Sequence, residues 1–242
     1  MKLALDHIYK CPNCSNLIKQ GNLISGNTFG AKLFSDSKQF APMLPNFTNL
    51  TKCKKCNAIF KISNLKEWGC KNYLTRLFWK GKCKKADSVG SLNTSDLYTA
   101  LEMFPQDELY IRQQILWSLN DPLRSYSDYD QPISEVLIKV RELDTRFEEN
   151  CHALLKLLDP SDENQKIMMA ELYRNLGQFD KCIELINSID TFSNRTELKH
   201  KLKKYFIWEC EKENKFVFRI DNYMARKQKE LTYSGLIKHF KL

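Results

Sequence analysis

The 242-residue chain has nine cysteines, and four of them form two CxxC pairs, Cys11-Pro-Asn-Cys14 and Cys53-Lys-Lys-Cys56, with 38 residues between the pairs. Each such loop can bring two sulfurs onto one metal ion, and two loops complete a tetrahedral four-sulfur shell. The expected ion is Zn2+ in a structural role, held by Cys11, Cys14, Cys53 and Cys56. Iron–sulfur ligation by the same thiolates is the alternative chemistry. A redox dithiol needs a thioredoxin-like βαβ setting, which the flanking residues do not offer, and it leaves the second pair without a purpose.

The residues around the pairs read as short strands with metal-binding loops at their turns. Ile8–Lys10 enters the first pair and Asn16–Lys19 leaves it; Leu50–Lys52 enters the second and Ala58–Phe60 leaves it. Pro12 presets the first loop's backbone, and Lys54 and Lys55 favour thiolate over thiol in the second. On these residues the segment 8–62 resembles the zinc-ribbon family, whose usual knuckle is CPxCG or CxxCG. Ser15 and Asn57 stand where that family has Gly; Asn tolerates the left-handed backbone well and Ser less so. The resemblance implies a small β-rich zinc ribbon over residues 1–66.

The insert between the pairs is long for a ribbon. Ala31–Phe34 and Lys38–Ala41 flank Ser35-Asp36-Ser37, which reads as a tight turn. Phe29, Phe34, Phe40, Phe47 and Phe60 are expected to form the small core. His7 is a weak substitute ligand, because four sulfurs already close the shell. Cys70 and Cys83, 13 positions apart with no neighbouring His or Cys, read as free thiols.

After a basic linker at 67–94, the period of apolar residues changes to 3.6. Thr94 or Ser95 can cap a first helix that ends at Pro105, and Asp107–Leu119 reads as a second, stopped by Asn120-Asp-Pro122. Residues 125–132 read as a loop. The run Ile133, Leu137, Val140, Leu143, Phe147, Cys151, Leu154, Leu158 predicts one long helix. Further helices are expected over 162–176, 178–189 and 195–214. The stretch around Gly177, AELYRNLGQFDKCIELINSI, is similar to a tetratricopeptide hairpin: Ala170 and Cys182 allow close approach, Tyr173 and Phe179 fill the groove, and Gly177 turns the chain. Ile189 and the missing closing Pro depart from that pattern. The expected class is therefore α+β and multidomain, a zinc ribbon followed by an all-α, tetratricopeptide-like region over 95–220 and a basic amphipathic tail at 221–242. The combination resembles uncharacterised bacterial proteins that join a ribbon to such helices.

Charge alternates along the chain, at +13 over residues 1–85, −11 over 86–190 and +7 over 191–242. Lys54, Lys55, Trp79, Lys80, Lys82, Lys84 and Lys85 interleave basic and aromatic groups, which is how a protein holds a phosphate backbone and stacks a base. The leading expectation is a non-enzymatic protein with a structural zinc site and a helical scaffold for a protein partner. Nucleic-acid binding through the basic ribbon and linker is the alternative. No nucleophile–base grouping, phosphate loop or HExxH stretch points to an enzyme or a small-molecule substrate. No apolar run approaches the roughly 20 residues of a membrane span, MKLALDHIYK lacks a signal-peptide core, and paired thiolates suit the reducing cytoplasm.

Overall fold

The computed structural model describes residues 1–68, 85–129, 134–135, 138–139, 144–189 and 196–220. Small β-sheets precede a helical region, an α+β arrangement. The chain divides into two compact units. One joins Met1–Ala31 to Phe40–Pro105; the other joins Lys32–Gln39 to the chain from Gln106 onward.

The first unit is built on two antiparallel hairpins. Strands β1 (Lys2–Leu3), β2 (His7–Lys10), β3 (Leu17–Gln20) and β4 (Leu23–Ser25) come first, and β2 pairs with β3 in the register His7↔Gln20 to Lys10↔Leu17. The second hairpin follows two further short strands, β5 (Lys32–Leu33) and β6 (Gln39–Phe40); it pairs β7 (Leu50–Lys52) with β8 (Ile59–Lys61). Strand β9 (Asp87–Ser88) adds parallel to β3, and Lys52 bridges Gly90. Helix α1 (Thr94–Met103) closes the unit. Its cap is Asn93 rather than Thr94 or Ser95: Asn93 accepts from the Asp96 N–H while the Asp96 carboxylate accepts from the Asn93 N–H. Lys52 Nζ adds an ion pair to Asp96 at 2.5 Å. The core is small, with Cys11, Ile18, Cys53, Phe60 and Ile62 in one cluster and Ile8 and Ala86 in another.

Only part of the expected phenylalanine core exists. Phe60 is buried in this unit, but Phe29, Phe40 and Phe47 are exposed at 83%, 58% and 39%. Phe34 is buried with Leu123 and Val217 of the other unit. The insert does not fold back as a whole; one hairpin of it packs elsewhere.

Among the described residues, the second unit includes that hairpin and the helices α2 (Glu108–Tyr129), α3 (Thr145–Leu157), α4 (Glu163–Asn175), α5 (Phe179–Asn187) and α6 (Thr196–Glu211). Helix α4 is buried on opposite faces. Met168 and Leu172 pack with Leu116, Phe147, Cys151 and Leu154, while Ala170 packs with Cys182, Ile186, Phe206 and Phe218. A Schellman motif ends α4, with Gln178 N–H donating to Tyr173 O, Gly177 N–H to Arg174 O, and Gly177 at φ +73°. Helix α6 ends in the same way with Glu213 at φ +54°.

Two helix boundaries differ from expectation. Pro122 lies inside α2 and does not stop it. Asn120 and Arg124, one turn apart and on either side of Pro122, both bond Asp36, and buried Leu116 and Leu123 anchor the same stretch. Tertiary contacts thus outweigh the proline's cost of about 3 kcal/mol. The long run from Ile133 is broken at Asp144, whose side chain caps α3 by accepting from Arg146 N–H; Ile133, Leu137, Val140 and Leu143 lie outside the described residues, as does the tail from 221.

The hairpin Lys32–Gln39 is held by buried charge. Its turn is the expected one, with Ser37 N–H donating to Phe34 O and Ser37 at φ +64°. Asp36, fully buried, accepts two bonds from Arg124 and one from Asn120 at 2.9 Å, and its carbonyl accepts from Trp117 Nε1. Ser35 Oγ donates to Glu171, itself bound by Arg174 and Asn175. The segment 217–220 runs antiparallel beside it, through Ser35 N–H to Phe218 O and Ile220 N–H to Leu33 O. Burial pushes the Glu171 carboxyl up, with Arg174 opposing it.

Residues 32–39 therefore complete the core of the helical unit. A chain started near residue 90 looks self-sufficient in sequence, but it leaves Arg124 buried without Asp36. Removing one partner of a buried pair costs roughly 3–5 kcal/mol. Denaturant unfolding of the full chain followed by far-ultraviolet circular dichroism is expected to show Asp36→Ala destabilised by that order, and a chain begun at residue 90 less stable still. Near-native midpoints for both would contradict this.

Candidate metal centre

Each CxxC pair sits at the tip of a hairpin, and the two tips share one geometry. In the first, Cys11 N–H donates to Asn16 O and Ser15 N–H to Cys11 O; in the second, Cys53 N–H donates to Ala58 O and Asn57 N–H to Cys53 O, all between 2.8 and 3.0 Å. Ser15 and Asn57 lie at φ +57° and +58°. The position where ribbon knuckles usually carry Gly is thus left-handed in both loops, and Ser15 adopts it despite its Cβ.

These knuckles bring four sulfurs together. Cys11, Cys14, Cys53 and Cys56 have all Sγ atoms within 4.8 Å of one another. Cys11 Sγ lies 3.6 Å from Cys56 Sγ, and Cys14 Sγ 3.7 Å from Cys53 Sγ. A disulfide needs about 2.05 Å. A tetrahedral shell with metal–sulfur bonds of about 2.3 Å has edges of about 3.8 Å. The donor set and its spacing fit a tetrahedral thiophilic metal, and two knuckles arranged in opposition could supply a complete first coordination shell.

The environment suits thiolates unevenly. Burial pushes the Cys11 thiol up to about 12, against N–H donors from Cys14 and Asn13. Cys56 is lowered to about 6, chiefly by the Ala58 N–H, with help from the Asn13 side chain. Cys11 and Cys53 face the core, whereas Cys14 and Cys56 are half-buried. Metal uptake must therefore displace the proton of Cys11.

Of the other singled-out residues, Lys54 and Lys55 are exposed on the second knuckle, and Lys85 is exposed before β9. Trp79, Lys80, Lys82, Lys84, Cys70 and Cys83 lie outside the described residues. His7 is not part of the cluster; its Nδ1 is 3.0 Å from Glu67. Among the described residues no second grouping of three or more His, Cys, Asp or Glu side chains has metal-binding spacing, and no helix is long and apolar enough to cross a membrane.

Comparison of the chain with protein-family models, with curated proteins and with solved structures found no match. The ribbon and tetratricopeptide resemblances rest on the residues and geometry described above.

Two outcomes are expected at this site. Metal affinity should fall on acidification, because protons compete for the thiolates; a competition titration that gives one affinity across acid and neutral pH would contradict the assignment. Ser15→Gly should keep the metal and raise the unfolding midpoint slightly, since the left-handed backbone costs a Cβ-bearing residue on the order of 1 kcal/mol. Loss of metal in Ser15→Gly would show that Ser15 does more than turn the chain.

Proposed function

We propose that the chain is a non-enzymatic zinc-binding protein, with structural Zn2+ at Cys11, Cys14, Cys53 and Cys56 and a helical unit that serves as a scaffold for a protein partner. The convergence of four sulfurs at tetrahedral spacing carries this reading. Four thiolates saturate zinc, leaving no position for an activated water or a substrate, so the ion's work is to hold the fold. A small domain of this kind draws on the order of 10 kcal/mol from its metal, which a unit with so few buried apolar residues needs.

The scaffold role is supported by the antiparallel α4–α5 hairpin. Ala170 and Cys182 are fully buried between the helices, Gly177 makes the turn, and Ile186 continues the packed face. These features suit a tetratricopeptide-like unit, a class that works by binding rather than catalysis. Paired thiolates free to hold a metal suit a reducing compartment, which supports a cytoplasmic location.

A second reading, nucleic-acid binding by the ribbon unit, is favoured by one specific observation. Phe29, Phe40 and Phe47 are exposed in a stretch that carries +13 over residues 1–85. Exposed aromatics among lysines form stacking platforms for single strands.

Purified chain should contain one zinc, and Cys53→Ser should lose it while the ribbon unfolds; a Cys53→Ser protein with unchanged zinc would overturn the site. For the second reading, affinity for a single-stranded oligonucleotide should fall steeply with salt, by about 0.7 log units per log of salt for each phosphate neutralised. No binding at low salt would remove that reading.

A further inference from the structure

The ribbon unit contains a cleft of about 380 Å3 that the metal site does not use. It opens where the end of β3, the insert around Asn46–Thr48 and the strand β9 meet. Clefts that hold small ligands run from roughly 300 to 1,000 Å3 and combine an apolar wall with a few convergent polar groups. This one has both.

The apolar wall is Phe47. Its ring lies over Gly21 so closely that a Cβ there would meet the ring at 2.6 Å, and the side chain is still 39% exposed. Gly21 thus lets an aromatic ring rest against backbone at the cleft without burying it. Among its polar lining groups are Lys19, Asp6, Ser88 and Ser91. Their side chains have no hydrogen-bond or ion-pair partner among the described residues. Lys19 supplies positive charge, the serine hydroxyls both donate and accept, and the Asp6 carboxylate accepts only.

We propose that this cleft takes one nucleotide unit, with its base on the Phe47 ring and its phosphate on Lys19. The proposal rests on the nucleic-acid reading above and deepens it by locating the contact. An aromatic face beside a lysine is the minimal pairing for a base and its phosphate, because every base has a face to stack and every phosphate a charge to neutralise. The acceptor-only Asp6 suits an amino group on a base edge and repels a second phosphate, which distinguishes a nucleotide from a polyanion such as polyphosphate. A free mononucleotide and a residue of a single strand share this chemistry.

The test is fluorescence anisotropy of a labelled 12-nucleotide oligo(A) with the zinc-loaded full chain at low salt, and AMP as competitor. Phe47→Leu and Lys19→Gln should each weaken binding by about tenfold or more, with zinc content unchanged. Gly21→Ala, which displaces the ring, should weaken it as well. Leu157→Ala, an exposed change in the helical unit, should stay within about twofold of wild type. Displacement by AMP assigns the cleft to free nucleotides, and strand binding that AMP does not displace assigns it to single strands; either outcome supports the proposal when it depends on Phe47 and Lys19. If the wild-type chain binds the strand but Phe47→Leu and Lys19→Gln bind equally well, the cleft proposal falls and the nucleic-acid reading stands. If the wild-type chain binds neither probe, both fall.

Discussion

Four cysteine sulfurs lie within 4.8 Å of one another at the tips of two short hairpins, a grouping that could hold a metal ion. The first unit buries few side chains beyond Ile8, Ile18, Leu50, Phe60 and Ile62, and its hairpins are three and four residues long on each strand. Isolated hairpins of that size are marginal in water. The two tips meet with their sulfurs 3.6–3.7 Å apart, close to the edge of about 3.8 Å that a shared tetrahedral metal would give.

The second constraint comes from the same loop of chain. Between Cys14 and Cys53 the backbone leaves one compact unit, contributes Lys32–Gln39 to the other, and returns. The anchor is Asp36, an acid in a strongly basic stretch, placed against Arg124 and Asn120. A buried carboxylate is tolerable only with such partners. The insert is therefore long because it serves two cores.

How much of this could be read beforehand depended on whether a feature is local. The CxxC pairs carry their geometry within six residues each, so the cluster was legible, as were the left-handed position after each pair and the turn at Ser35-Asp36-Ser37. Gly177 and the α4–α5 hairpin were legible for the same reason, since helix period and turn chemistry are short-range. The phenylalanines were not. Nothing in the pattern around Phe34 distinguishes it from Phe29, yet one is buried among helices and the other is exposed, because partition between two cores is decided by partners over 80 residues away. Pro122 misled in the same manner: its local preference is to end a helix, and Asp36 and the buried leucines override it. Asp36 itself gave one faint sign, as one of three acids in the first 85 residues. The cleft beside Phe47 is assembled from four separate stretches and has no sequence signature.

Zinc held by sulfur alone is the claim on which the fold of the first unit and the non-enzymatic reading both depend. X-ray absorption at the zinc edge of the purified chain addresses it directly. The account predicts one zinc per chain with four sulfur neighbours at about 2.3 Å and no lighter ligand. Fewer than four sulfurs, or an oxygen or nitrogen in the shell, would contradict it.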